Sequence, residues 1–163
     1  MNRIIDIEKA VKLSQRFKKE GKIVILAGGC FDVIHLGHIK FLQAAKKTGD
    51  ILLVMLESDE SVHKIKGDKR PIHNQNERAE VLVGIRFVDY VIKIPFLQRN
   101  DEYDKLVMKL NPSVIAVTKG SNALEHSKRQ AKQIGAQLLE VIGYIPEKST
   151  TRIAQIILAE NKL

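Results

Sequence analysis

The chain has 163 residues, 44% of them hydrophobic and 28% charged, with a formal net charge of +8 at pH 7 and a single cysteine. One cysteine excludes an internal disulfide and suits a reducing cytosol. No apolar run nears the roughly 20 residues that cross a bilayer, and "MNRIIDIEKAVKLSQ" carries acids where a signal peptide needs an unbroken apolar core. With aromatics at 5%, a base-stacking nucleic-acid surface is disfavoured, so the expectation is one cytoplasmic domain over residues 1–163 whose excess charge meets small anions, with no nucleic-acid or membrane partner.

The segments then alternate in type. Residues 7–20 carry apolar positions at Ile7, Val11 and Phe17, a helical stripe that Gly21 can close. "KIVILA" reads as a strand buried on both faces, residues 39–47 as a helix ended by Gly49, and "ILLVML" as a second strand. A polar loop follows, then a helix over "NERAEVLVGIRF" with Asn74 or Asn76 as its cap. "VDYVIKI", a helix over 103–110, "PSVIAVT", a helix over 124–134, "AQLLEVI" and a closing helix over 150–161 complete the order. Strands alternating with helices predict an α/β domain with a Rossmann-like, doubly wound, parallel five-stranded sheet. In such a sheet ligands bind beyond the carboxyl ends of the strands.

At that position after the first predicted strand stands "AGGCFDVIHLGHIKF", residues 27–41. It is neither a G-x-G-x-x-G fingerprint, because Gly28 and Gly29 are adjacent, nor a P-loop. Zinc ligation by Cys30, His35 and His38 is set aside for want of clustered cysteines. What remains is a phosphate cradle. Gly28 and Gly29 let backbone amides approach a ligand, Gly37 opens a helix whose N-terminus favours an anion, and His35 and His38 add donors or positive charge. Asp32 is expected to hold the loop through its own backbone, and His63, His73 and His126 to lie on the surface.

The run G-x-F-D-x-x-H-x-G-H over residues 29–38, together with "STTRI" at 149–153, resembles the cytidylyltransferase-like nucleotidyltransferases with a His-x-Gly-His motif. "GGCFDVIHLGH", "SDESVHKIKGDKRPIHNQNERAEVL" and "VDYVI" resemble in particular the heptose 1-phosphate adenylyltransferases of lipopolysaccharide core synthesis. The resemblance implies catalytic roles for His35, His38 and Lys66, and nucleotide contacts from Gly28, Gly29, Cys30, Phe31, Gly37, Lys119, Ser149, Thr150 and Thr151. It implies phosphate contacts from Lys64 and Arg78, with Lys64 and Lys66 on the loop after the second strand. It further implies transfer of AMP from ATP to a phosphorylated sugar, Mg2+ accompanying the ATP, no metal site in the protein itself, and a homodimer.

Two departures keep other readings open. The family's G-G-D-Y is Gly120-Ser121-Asn122-Ala123 here, and the arginine that glycerol-phosphate cytidylyltransferases carry before S-T-T is replaced in "YIPEK", with Tyr144. A cytidylyltransferase for glycerol 3-phosphate, an FAD synthetase of the archaeal type and a non-catalytic nucleotide-binding regulator are the alternatives. In many bacteria the heptose adenylyltransferase is fused to a sugar kinase; this sequence is expected to hold only the transferase half.

Overall fold

A computed structural model describes residues 2–143 and Ile153. The order is β1 (Ile4–Ile5), α1 (Ile7–Lys19), β2 (Val24–Gly29), α2 (Leu36–Lys46), β3 (Ile51–Leu56), α3 (Asp59–Lys66), α4 (Gln75–Val83), β4 (Tyr90–Lys93), α5 (Asn100–Leu110), β5 (Val114–Thr118), α6 (Leu124–Ile134) and β6 (Gln137–Ile142). The strands form one parallel sheet in the order β1-β4-β3-β2-β5-β6. The predicted closing helix over 150–161 lies, except for Ile153, outside the described residues.

The doubly wound parallel class is as expected, but among the described residues the sheet has six strands where the sequence predicts five. The added one, β1, has two residues and so no periodicity to read. Arg3 anchors it from the side. Its carbonyl accepts from Val91 N at 2.9 Å, and its guanidinium donates to the Val88 carbonyl at 3.1 Å and to that of Val83.

Successive strand residues face opposite sides, so the apolar runs fill two cores. Val24, Leu26 and Leu53 join α1, α5 and α6 through Leu13, Phe17, Leu106, Leu110 and Ala131. Ile25, Leu52 and Val54 join α2 and α4 through Phe41, Leu42, Ala45, Ala79 and Leu82. Each such side chain, when fully buried, contributes about 1.5–3 kcal/mol relative to exposure.

Two local readings need correction. The polar segment after β3 is not a loop: Ser58 caps α3 by accepting from Ser61 N at 3.1 Å, Asp59 and Glu60 sit in its first turn, and Lys64 and Lys66 in its last. Gly49 does not cap the preceding helix, which ends at Lys46. A Cβ at residue 49 would stand 2.5 Å from Ile23 Cγ2 and 2.9 Å from its carbonyl oxygen, so Gly49 is required by a close approach to the start of β2.

β2 is the switch strand. The chain leaves it through α2 to β3 on one side, continues outward to β4, and returns through α5 to β5 on the other side. Connections that diverge in this way leave a crevice beyond the end of β2.

Candidate active site

The crevice is a cleft of about 890 Å3. Its floor is the end of β2 with Gly28 and Gly29. Glu57, just after β3, borders the cleft on one side of β2, Thr118 at the end of β5 and Ser121 beyond it on the other, and Tyr103 of α5 lines it as well. A shallower hollow of about 490 Å3, lined by Tyr90, Ile51 and Arg16 among others, lies toward the opposite strand ends and has neither glycine nor histidine.

The two floor glycines serve different ends. A Cβ at Gly28 would rest in ordinary contact with Met55 at 3.7 Å, so local packing does not itself demand this glycine. A Cβ at Gly29 would press to 3.0 Å from the Phe31 ring. Phe31 itself is buried and has φ +45°, a left-handed conformation costly for a bulky side chain. Gly29 is thus fixed by the packing of Phe31, a requirement separate from any ligand.

His35 is the N-cap of α2, its Nδ1 accepting from Gly37 N at 3.1 Å. That bond puts the ring proton of the neutral imidazole on Nε2, leaving a donor for a ligand. The His38 ring stacks on His35 with centroids 3.8 Å apart and planes 22° apart, and tilts against Phe31 at 5.2 Å. Burial, helped by the His35 and Lys66 charges and opposed by the Val33 carbonyl, lowers His38 to about 4. Burial also lowers His35. Without a ligand both rings are therefore neutral at pH 7. His38 Nδ1 is sealed from solvent without a well-formed hydrogen bond.

Lys66 lines the cleft from the end of α3, close enough for its charge to depress His38 and pull down Cys30. Cys30 and Gly37 line it too, and burial with the Glu57 charge keeps Cys30 a thiol by pushing its pKa up. Lys64 and Lys119 do not border the cleft. The Lys64 ammonium lies 5.8 Å over the Phe96 ring, and Lys119 is exposed, with its amide donating to the Ile142 carbonyl at 2.8 Å. Ser149, Thr150 and Thr151 lie outside the described residues.

Arg78 has a different place from the one expected. It is 1% exposed, and its guanidinium donates to the carbonyls of His73 at 3.0 Å, Cys30 at 2.5 Å and Glu57 at 2.8 Å, and to Asp59 Oδ1 at 2.7 Å. With the fork engaged by four protein acceptors, its geometry serves to lock the cradle rather than to meet phosphate. Asp32 likewise reaches beyond its own loop: buried, it accepts from the Arg70 guanidinium, from Ile72 N at 2.8 Å and from His73 N at 3.1 Å.

Sequence reasoning misses Arg70, Glu57, Tyr103 and Ser121, which border the cleft, and His126, expected on the surface, borders it too. For Arg70 a signal existed, because a buried Asp32 demands a cation and "KGDKR" supplies one. Ser121 Oγ is buried without a partner and faces the same space.

A parallel doubly wound sheet whose switch strand ends in a glycine turn, followed by paired histidines at a helix N-terminus, defines a nucleotidyltransferase fold. The profile described as cytidylyltransferase-like matches residues 26–157, and the chain belongs to that family. It is 36% identical over 152 residues to the bifunctional protein HldE of Nitratiruptor sp., covering 93% of this chain and 31% of that protein. The HldE of Campylobacter concisus is 38% identical over 148 residues, 89% of this chain and 28% of that one. The chain thus spans about a third of these curated relatives' length. Among solved structures, the lipopolysaccharide core biosynthesis protein of Thermoplasma volcanium superposes with a TM-score of 0.61 at 30% identity, covering 77% of this chain and all of that one. The pantoate-beta-alanine ligase of Francisella tularensis superposes at 0.62 with 13% identity over 95% of this chain and 73% of that one, a likeness of fold alone.

Proposed function

We propose that the protein transfers AMP from ATP to the phosphate of a sugar phosphate such as heptose 1-phosphate, releasing pyrophosphate. The observation that carries the reading is the stacked His35–His38 pair at the N-terminus of α2, beside Gly28 and Lys66 in one cleft. An acceptor phosphate oxygen forms a bond to the α-phosphorus in line, the bond from that phosphorus to the β-phosphate's bridging oxygen breaks, and pyrophosphate carries the electron pair away. A phosphate monoester is ionised at neutral pH and needs no general base. The protein's part is to position the two anions and stabilise the charge that builds up. Nε2–H of His35 and the Lys66 ammonium are the groups assigned to the triphosphate. Ser149, Thr150 and Thr151 are assigned to it on resemblance to the family.

Among the described residues no three His, Cys, Asp or Glu side chains cluster as a metal site. The described residues therefore do not form a magnesium cage. Mg2+, which commonly keeps its waters and binds through nucleotide phosphates, is assigned to the incoming ATP, and no step is derived through it. The HldE relatives and the lipopolysaccharide protein support a sugar phosphate as acceptor. A homodimer acting in the cytoplasm belongs to the same proposal.

The test is pyrophosphate release from ATP and from CTP, each with heptose 1-phosphate, other sugar phosphates, glycerol 3-phosphate and FMN. The expected outcome is a higher kcat/KM for ATP with a sugar 1-phosphate. A CTP advantage with glycerol 3-phosphate would move the protein to the cytidylyltransferases, and FMN with ATP to the FAD synthetases. Supplying the free sugar with ATP should give neither ADP nor pyrophosphate, because an uncharged hydroxyl is a far poorer nucleophile.

A further inference from the structure

We propose that Glu57, held by Tyr103, selects the acceptor by taking hydrogen bonds from the hydroxyl groups of a polyhydroxylated phosphate monoester. This rests on the transferase reading above and names the residue that recognises the part of the acceptor away from its phosphate.

A carboxylate is out of place in a cleft that gathers phosphates. The other two acids nearby are accounted for: Asp32 pairs with Arg70, and Asp59 with Arg78. Glu57 instead has the Tyr103 hydroxyl as partner, Oη donating to Oε2 at 2.9 Å, and borders the cleft with it. Its backbone is clamped on both sides. The Glu57 amide donates to the Gly29 carbonyl at 3.2 Å, and its carbonyl accepts from Arg78 at 2.8 Å. The side chain is thus held at the end of β3 by a network whose purpose is not an internal ion pair.

A negative charge there repels phosphate and attracts neutral donors. A carboxylate's four lone-pair sites suit vicinal hydroxyls, and with Tyr103 and Ser61 each taking one, two remain for a ligand. Burial raises the Glu57 pKa, opposed by Tyr103, Ser61 and Arg78, so the group is partly dehydrated and gains from a ligand's donors. The flank matters as well. Glu57 follows β3 on one side of β2 and Ser121 follows β5 on the other, so acceptor and nucleotide can be read from opposite sides of the switch strand.

The measurement is a set of Michaelis constants for ATP, a sugar 1-phosphate and glycerol 3-phosphate in the wild type, Glu57→Ala, Glu57→Gln and Tyr103→Phe. Hydrogen bonds to a charged group predict that Glu57→Ala raises the sugar-phosphate KM about 10- to 100-fold without a matching rise in the ATP KM. The preference for the sugar phosphate over glycerol 3-phosphate should shrink by the same factor. Tyr103→Phe, which keeps the ring, should shift it the same way by a smaller factor. An equal loss with both acceptors, or a rise confined to ATP, overturns the assignment while leaving the transferase intact. A wild type that releases no pyrophosphate with any sugar phosphate overturns both readings together. Should Glu57→Ala fail to fold, Glu57→Gln and Tyr103→Phe decide by the same ratio.

Discussion

At His38 the requirements of folding and of ligand binding pull in opposite directions. The ring is pressed against His35 and Phe31, where a proton is unwelcome, yet it faces a space suited to anions. Above pH 6.5 it is neutral in both folded and unfolded chains; between 6.5 and about 4 the unfolded chain binds a proton that the folded ring refuses. Stability is therefore lost as pH falls through that window, by up to about 3 kcal/mol from this ring. Urea unfolding at successive pH values should show a shallower acid loss in His38→Gln than in the wild type. Triphosphate binding should reverse the preference and draw a proton onto the pair, visible in calorimetry as buffer-dependent binding heat. His35→Ala and His38→Ala should each lower kcat by about 100- to 1000-fold while circular dichroism shows the fold intact. The motif carrying both rings stood out in the sequence because it packs a glycine and two histidines into four residues, His35 to His38. Glu57 and Tyr103 did not, since 46 residues separate them and only the fold makes them neighbours.

Among the elements, the junctions were harder to read than the bodies. β2, β3 and β5 announce themselves as apolar runs buried on both faces, whereas α3 has few apolar positions to show a helical stripe. Its caps and charges held the better signal: Ser58, then Asp59 and Glu60, then basic residues in the last turn. The Arg78 role depended on a similar long-range closure. From α4 it ties the Cys30 turn after β2 to the β3–α3 junction through bonds to Cys30, Glu57 and Asp59. Leaving a buried acceptor without its donor costs about 1–3 kcal/mol, and Arg78 serves three backbone carbonyls, so Arg78→Ala should lower the thermal midpoint by several degrees or more. Arg78→Lys should recover little, because one ammonium cannot span acceptors arranged around a fork. Gly49→Ala belongs at this scale as well. Its methyl would collide with Ile23 at the entry to β2, and overpacking of this kind costs about 1–3 kcal/mol, measurable by urea unfolding.

Across the whole molecule the formal charge is +8, and Lys66 brings part of the positive charge to the cleft wall, where Arg70 is offset by Asp32. In the proposed reaction two anionic substrates enter that field, so kcat/KM should fall severalfold between about 50 and 500 mM salt, with kcat much less affected. Stopped assays at constant pH would check this; a salt-independent kcat/KM would mean that the charge plays no part in capture. Alternation of strands and helices made the architecture legible, while β1 escaped because its identity depends on pairing with β4 rather than on its own two residues. The strand order has one more consequence, for how such a protein can change over generations. Among the described residues, the segment leaving β3 borders the cleft on one side of β2 and the segment leaving β5 on the other. A loop exchanged on one wall alters what that wall admits while the histidine turn and the opposite wall keep their places. Strand order thus makes the site modular: under the proposed reaction, editing one connection would change the acceptor while leaving the nucleotide contacts in place.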